Sequence, residues 1–444
     1  MRHRYAFVVC GAFFVCLRWM WPGPAAASAS EVEALKQELA ETRELVETLT
    51  RKTQELQRRL QQVEREQERA AREPARGEGA KEVAPAPLET PSRPATVQIP
   101  LGQRQLLFDL GVVGDFVYAF TEGERTDPRR AGTFKGREDR VFPREVEIAM
   151  TGRVDPYARA DFFFEFAEEA EFEPAGDGFE VRRELEVGIE EAYLTLLQLP
   201  LGLQPRFGKM RPRFGRLNEL HQHDLPQVDR PNVLVNFFGE EQLTETGAEV
   251  HVLLPTPFFQ EVSVGVFNGD NEESFGGRES FEDPLLIAHL RNFFELGEGS
   301  ALQIGLSGAR GPNAPDQRTA LAGLDVTYKW TPPDDPFTAF WLQGEFLYSH
   351  READEDDRDR YGAYLFGEYR FSRRFSIGTR MDWSEFPEDG GREWAVSPYV
   401  TLWASDFFRF RLQYKHTDRN FGEDLEEILL QATFTLGHHP AHRF

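Results

Sequence analysis

Five basic side chains lie within eleven consecutive positions of a chain that is otherwise acidic. They are Arg206, Lys209, Arg211, Arg213 and Arg216. Basic residues at this density raise the local concentration of anions, and arginine forks match phosphate and carboxylate oxygens. Around a water-filled constriction, the pattern would favour anions. Two alternatives stay open: a positive rim that binds lipopolysaccharide phosphates, and ion pairs with Glu219, Asp224 and Asp229.

A second polar stretch could ligate a metal by residue type. His221 and His223 are two positions apart, and Asp224 follows them. On a strand, this spacing would place both imidazoles on one face, as a zinc site requires. The stretch falls within a long polar connection, which favours a solvated loop. We therefore predict no metal site here, and we expect no cofactor.

Most of the chain reads as strands with period-two alternation. In Phe375–Ser384 and Phe408–Thr417, large apolar side chains alternate with polar and charged ones. Alternation of this kind places the two sets on opposite faces of a strand. The charged face carries four further candidates for lining a channel: Arg380, Arg409, Arg411 and Lys415.

Two stretches fit this alternation poorly. Glu190 and Glu191 are adjacent acids within one strand, and His289 and Arg291 lie on the apparently apolar face of Leu285–Glu295. We expect both pairs to lie near a rim of the sheet.

The connections between the predicted strands alternate between short and long. Arg153–Pro156, Gly297–Gly299 and Ala404–Asp406 are short, whereas Lys209–Leu243 is the longest connection. Transmembrane barrels have short turns at one rim and long loops at the other. We therefore predict an all-β fold, a transmembrane antiparallel β-barrel of about 16 strands. The predicted strands begin near Leu106, Phe142, Tyr157, Arg183, Leu201, Thr244, Phe258, Pro284, Ser300, Thr319, Phe337, Arg360, Arg374, Glu393, Phe407 and Glu427.

The N-terminal residues predict an exported protein. Residues 1–29 have a basic start, an apolar stretch and a small-x-small site at Ala27-Ser28-Ala29, as signal peptides do. An uncleaved membrane anchor is the alternative. Both cysteines, Cys10 and Cys16, lie in this segment, so the mature chain would have neither disulfides nor thiolate metal sites.

Three segments follow the predicted signal peptide. Residues 30–70 carry an unbroken heptad of Val, Leu and Thr, which indicates an α-helical coiled coil rather than a lone amphipathic helix. Residues 71–100 are rich in proline and read as an extended linker. Residues 101–444 form the predicted barrel. The coiled coil would then stand in the periplasm.

Composition limits the classes of function. The 444 residues carry a net charge of −24, which argues against nucleic-acid binding. The mean hydropathy of −0.51 is compatible with a barrel whose lumen is wet. The sequence contains no P-loop, nucleophile elbow or paired-histidine helix, so we predict that the protein is not an enzyme.

The basic stretch also carries a family resemblance. Residues 208–215, Gly-Lys-Met-Arg-Pro-Arg-Phe-Gly, resemble the "GK-x-x-x-P-F-G" stretch of the phosphate-selective porin O and P family. The resemblance implies a trimeric sixteen-stranded barrel, often with an N-terminal coiled coil. It would place Lys209 at the entry to the loop that narrows the channel. The chain departs from the family in charge, with 36 Lys and Arg against 61 Asp and Glu from residue 101 onward.

These observations together predict an outer-membrane porin for passive diffusion of small solutes or ions. An anion or phosphate preference follows from the basic stretch, whereas the overall charge favours a general pore. The expected partners are outer-membrane lipid, lipopolysaccharide and two further copies of the chain, with peptidoglycan contacts through the coiled coil. An envelope spacer or adhesin without channel activity is the competing class, and a secreted β-sandwich is a third.

Overall fold

A computed structural model describes residues 96–437, apart from 102–103, 124–130, 176–177, 277–282, 315, 355 and 388–389. The predicted signal peptide, the coiled coil and most of the linker lie outside the described residues. Seventeen strands, one α-helix, α1 (Asn232–Phe238), and two short 3-10 helices, Pro200–Gly202 and Gln222–Asp224, make up the regular structure of the described part. No helix in these ranges is both long enough and apolar enough to span a bilayer.

The strand bounds are as follows. They are β1 Thr96–Leu101, β2 Arg104–Glu122, β3 Arg140–Asp155, β4 Ala158–Ala175, β5 Gly178–Leu196, β6 Gln204–Met210, β7 Glu245–Leu253, β8 Phe259–Phe267, β9 Leu285–Gly297, β10 Ser300–Ala314, β11 Gln317–Trp330, β12 Ala339–Arg351, β13 Arg358–Arg370, β14 Phe375–Glu385, β15 Arg392–Ser405, β16 Phe408–Arg419 and β17 Leu425–Gly437.

Sixteen of these strands, β2 to β17, form a closed antiparallel barrel. Each strand pairs with its neighbours in sequence, and β17 pairs with β2, with Gly437 opposite Gly111. Closure leaves no strand edge in this cylinder. The additional strand β1 forms an antiparallel hairpin with β2, with Thr96 opposite Asp109. This strand falls largely within the segment predicted as a linker.

The predicted fold class and strand count are confirmed. Each of the sixteen barrel strands begins within five residues of its predicted start. Short turns join β3 to β4, β9 to β10 and β15 to β16, as predicted, and the β6–β7 connection, residues 211–244, is the longest.

The two faces of the wall are the predicted ones. On β16, Arg411, Gln413 and Lys415 are buried inside the barrel, whereas Leu412 and Tyr414 are exposed on the outside. The same alternation along most of the other strands gives an apolar outer surface, whereas residues 178–187 of β5 are mostly exposed on both faces. The wall thus has a polar inner face and an apolar outer face, which is the pattern of a barrel that meets lipid outside and water inside.

Two β-bulges interrupt this alternation. In β3, Arg144 is an extra residue opposite the step from Asp115 to Phe116, and in β5, Glu190 is extra opposite the step from Phe163 to Phe164. A bulge turns two consecutive side chains to one face. Arg144 and Glu145 both point inward, and so do Glu190 and Glu191.

The irregular pairs are explained by side chains that face the lumen, and their expected position near a rim is not needed to account for them. The adjacent acids Glu190 and Glu191 face the lumen because of the bulge. His289 and Arg291 also face the lumen from within β9, where His289 Nδ1 lies 2.8 Å from Ser307 Oγ and Arg291 bonds Glu219. These residues are buried because the long connection packs against them.

Candidate functional site: the inward loop

The β6–β7 connection, residues 211–244, folds into the barrel; we call it the inward loop. It carries α1 and packs a buried apolar cluster against the wall. The members of the cluster from β6 and the inward loop are Met210, Phe214, Leu217, Leu225, Val233, Leu234, Phe237, Phe238 and Leu243. Wall residues such as Phe267, Leu321 and Leu347 complete it. The lumen is therefore partly filled by a small folded unit.

Helix α1 is positioned by polar contacts at its start and by apolar packing along one face. Asn232 donates its backbone N–H to Asp382 Oδ1 at 3.1 Å and its side-chain amide to Glu393 Oε1 at 2.8 Å. The helix ends at Gly239, whose φ of 79° is a left-handed conformation that suits glycine. These contacts hold one end of α1 at strands β14 and β15.

Gly215 lets the inward loop approach strand β12. Its φ is 62°, and its backbone N–H donates to Ser307 Oγ at 2.8 Å. A Cβ atom at this position would collide with the Glu345 carboxylate. Glycine is therefore required by conformation and by space.

Gly215→Ala is expected to lower the free energy of unfolding by about 2 kcal/mol, because of left-handed strain and the collision with Glu345. Urea unfolding in detergent would measure the change. Gly188→Ala is the matched control, since open space surrounds that position on β5. Equal stabilities of the two variants would contradict the close approach.

Three of the five predicted basic residues are buried and paired with carboxylates. Arg206 lies 2.7 Å from Glu249 Oε1, and Arg213 lies 2.5 Å from the same oxygen. Arg211 bonds Glu190 and donates to the Leu220 carbonyl at 2.6 Å. The sequence left two alternatives to a channel lining, a lipopolysaccharide-binding rim and ion pairing. The structure shows ion pairing for these three residues, mostly with glutamates of the wall.

The other two residues of the basic stretch differ in position. Lys209 lies on the outward face of β6, where its Nζ donates to the Ile189 carbonyl at 2.7 Å. It does not point into the lumen. Arg216 is half-buried and lies within electrostatic range of Arg291, Glu219 and Asp325.

Asp229 anchors the inward loop to strands β14 and β16, which we call the far wall. Arg380 Nη2 lies 3.0 Å from both of its carboxylate oxygens, Lys415 Nζ lies 2.7 Å away, and Gln413 donates at 2.5 Å. Arg380 also bonds Asp382 at 2.7 Å. Burial alone raises the pKa of Asp229, but Arg380 and Lys415 outweigh it and lower the pKa below its usual value.

Two arginines of β16, Arg409 and Arg411, bind backbone carbonyls of the inward loop. Arg411 Nη1 donates to Leu225 and Gln227 at 3.0 Å each, and Arg409 donates to His223. Sequence reasoning missed a third arginine of this kind, Arg144. It bonds Asp115 at 2.6 Å, Gln222 at 3.0 Å and the Val228 carbonyl. The unusual adjacency of Arg144 and Glu145 within a strand was the available signal.

The prediction that His221 and His223 lie in a solvated loop is wrong. Both imidazoles are buried and face glutamates of β3 and β5. His221 bonds Glu147 through Nδ1, and its Nε2 lies 2.8 Å from Glu191. His223 Nδ1 lies 3.0 Å from Glu145. The inward loop is therefore also attached to strands β3 and β5, which we call the near wall.

These carboxylates set the protonation of the imidazoles. Burial alone lowers the pKa of His221, but Glu190 and Glu147 raise it well above its usual value. Glu145 and Asp224 do the same for the pKa of His223. When no other cation occupies the site, both imidazoles are doubly protonated and positively charged at neutral pH.

A cavity of about 150 Å³ lies between the inward loop with α1, the β2–β3 connection, strands β3 to β5 and strands β15 to β17. Seven basic and eight acidic side chains line it. They include Lys135, Glu169, Glu241 and Arg419. The lining is therefore nearly balanced in charge.

No protein-family model matches the chain. An uncharacterised protein of Aquifex aeolicus (strain VF5) is 30% identical in an alignment of 306 residues that covers 58% of this chain and 63% of that protein. The match therefore spans less than two thirds of that relative.

Three solved structures have similar barrels. The outer-membrane channel DcaP of Acinetobacter baumannii is 13% identical, with a TM-score of 0.47 over 74% of this chain and 97% of its own. Salmonella typhi OmpF is 9% identical, with a TM-score of 0.47 over 74% and 98%. The trimer form of OmpT of Vibrio cholerae is 11% identical, with a TM-score of 0.46 over 74% and 99%.

Proposed function

We propose that the protein is an outer-membrane porin whose channel is narrowed by the inward loop. The observation that carries the proposal is the closed sixteen-stranded barrel with an apolar outside and a polar inside. A closed barrel is the one sheet arrangement that leaves no unsatisfied edge in hydrocarbon. Sixteen strands enclose a lumen wide enough for water, and the inward loop reduces its cross-section. Transport is passive diffusion, without a catalytic step.

The proposed orientation follows the lengths of the connections. The short turns face the periplasm and the long connections face outward, as in bacterial barrels. The N-terminal segment would then be cleaved after export, and the coiled coil would stand in the periplasm near peptidoglycan. A homotrimer is the proposed assembly, with lipid around it and lipopolysaccharide at the outer rim.

The proposed channel is weakly selective rather than phosphate-specific. A selective anion channel needs basic groups that remain unneutralised along the path. Here Arg206, Arg211 and Arg213 are paired with glutamates, and Lys209 points outward. The basic stretch therefore shapes the inward loop, and membership of the phosphate-selective family stays a prediction.

Glu241→Lys is expected to shift ion selectivity toward anions. Glu241 is exposed and lines the cavity, so the substitution changes its balance from one excess acid to one excess base. In a tenfold salt gradient across a planar bilayer, the reversal potential of the wild type should lie near zero and that of the variant should move toward the anion limit. Glu298→Lys, in the short β9–β10 turn, is the control. If both variants shift alike, the cavity is not on the ion path.

A non-conducting envelope spacer is the second candidate. The apolar cluster inside the barrel supports it, because residues from the inward loop and the wall bury one another there. An apolar cluster of this kind can keep the inward loop fixed in the lumen, so that the barrel does not conduct. In this case the long connections would serve contacts with other surfaces.

Liposome swelling distinguishes the two candidates. Purified protein would be reconstituted into vesicles and diluted into isotonic solutions of a pentose and of a tetrasaccharide. A porin narrowed by the inward loop should give faster swelling in the pentose than in the tetrasaccharide. Swelling no faster than that of protein-free vesicles, with barrel insertion verified by heat-modifiable electrophoretic mobility, would favour the spacer.

A further inference from the structure

Four side chains of the near wall and the inward loop form a cluster suited to a metal ion. Glu145 and Glu147 come from β3, and His221 and His223 come from the inward loop. One ligand atom from each lies within 4.8 Å of the others, and all four residues are buried. Ligands of a tetrahedral ion at about 2.1 Å lie roughly 3.4 Å apart, so small side-chain rotations would complete the site.

The carboxylates that contact the Nε2 atoms of both imidazoles also support a metal site. Nε2 of His221 lies 2.8 Å from Glu191, and Nε2 of His223 lies 3.0 Å from Asp224. In metal sites, a carboxylate on one ring nitrogen fixes the tautomer and leaves the other nitrogen for the ion. The Nδ1 atoms are the ones that face Glu147 and Glu145.

The backbone also holds the two imidazoles in place. His221 has an extended conformation and precedes the 3-10 helix Gln222–Asp224, and the two ring centroids lie 5.7 Å apart. Arg144, the bulge residue of β3, helps to fix this segment, because its Nη2 donates to the Gln222 carbonyl at 3.0 Å. The site is therefore built from two supported segments rather than from exposed side chains.

We propose that this cluster binds one divalent first-row transition ion, such as Zn²⁺. Two imidazoles with two carboxylates suit zinc and its neighbours, whereas Ca²⁺ and Mg²⁺ prefer oxygen ligands alone. Four protein ligands make a closed site, which is typical of a structural ion. The ion would clamp the first half of the inward loop to β3. This proposal does not depend on whether the barrel conducts.

Metal analysis of the purified full chain tests the proposal. The chain is also histidine-rich near its end, outside the described residues, so His438, His439 and His442 are replaced by Asn in every sample. After chelation and dialysis, we expect one Zn²⁺ per chain by mass spectrometry and a higher thermal unfolding midpoint with zinc. Co²⁺ should give the visible absorption of a tetrahedral site with nitrogen and oxygen ligands.

Variants assign the binding to the cluster. His221→Gln and His223→Gln should each weaken Zn²⁺ binding by about a hundredfold or more, and Glu191→Gln by about tenfold. His289→Gln is the control, since this buried histidine bonds Ser307 elsewhere on the wall. If the histidine variants do not fold, the Co²⁺ spectrum of the background protein decides alone. Substoichiometric Zn²⁺ in that protein, or equal affinity in folded His221→Gln, would overturn the proposal.

Discussion

Removal of residues 212–243 is expected to raise the single-channel conductance by about fivefold or more, because an unobstructed sixteen-stranded barrel encloses an aqueous channel. The inward loop packs its own apolar residues against the wall and leaves a cavity of about 150 Å³ beside it. The wall strands pair with one another without this loop. A short glycine-rich connection between β6 and β7 should therefore preserve the barrel.

Planar-bilayer recordings at equal salt would compare the deletion with the wild type. Replacement of residues 352–357, the β12–β13 connection, by a two-residue Asn-Gly turn is the control, because Arg351 and Arg358 are paired at its two ends. This connection joins two strands at the long-loop rim, and none of its described residues (352–354 and 356–357) belongs to the apolar cluster. The control should retain the wild-type conductance. A deletion of 212–243 that leaves the conductance unchanged would show that the inward loop does not limit the channel.

Arg380→Ala is expected to lower the free energy of unfolding by about 3–5 kcal/mol, the usual effect of breaking a buried ion pair. Arg380 is fully buried between Asp229 and Asp382. Its removal leaves the two carboxylates with Lys415 as the nearby cation that bonds Asp229. The inward loop should also detach more readily from β14, because Arg380 donates to the Asp229 carbonyl at 2.8 Å.

Urea unfolding followed by tryptophan fluorescence would measure the change. Arg373→Ala is the matched control, since Arg373 pairs with Asp406 at 3.1 Å on an exposed turn. Exposed pairs of this kind contribute at most about 1 kcal/mol. Arg380→Ala with a stability loss no larger than that of the control would contradict the anchoring role of Asp229.

The wall of the barrel was predictable because its signals are local. Alternation within Phe408–Thr417 assigned Arg411 and Lys415 to the inner face, and the structure places them there. Turn lengths assigned the two rims. Each of these signals depends on residues that are close in sequence, so no knowledge of the partner strand was needed.

The inward loop was only partly predictable, because its contacts join distant parts of the chain. Asp229 meets Arg380 and Lys415, which lie more than 150 residues further on. Sequence spacing does not encode such pairs. The bulges at Arg144 and Glu190 depend on the register of the partner strands, and they turn inward the charges that bind the loop.

Burial explains why the basic stretch does not form an open cationic lining. A guanidinium inside the barrel is stable when a carboxylate neutralises it, and glutamates on β5 and β7 face this stretch. The excess of acids in the sequence was therefore informative. Some of these acids pair with Arg211 and Arg213, which therefore stabilise the inward loop instead of binding solutes.

Single-channel recording of the wild-type chain in a planar bilayer is the most direct test of the proposed channel. A barrel narrowed by the inward loop predicts discrete, uniform conductance steps that are small for sixteen strands and nearly equal for cations and anions. A flat baseline, with folded barrel recovered from the same bilayer preparation, would contradict the proposed channel.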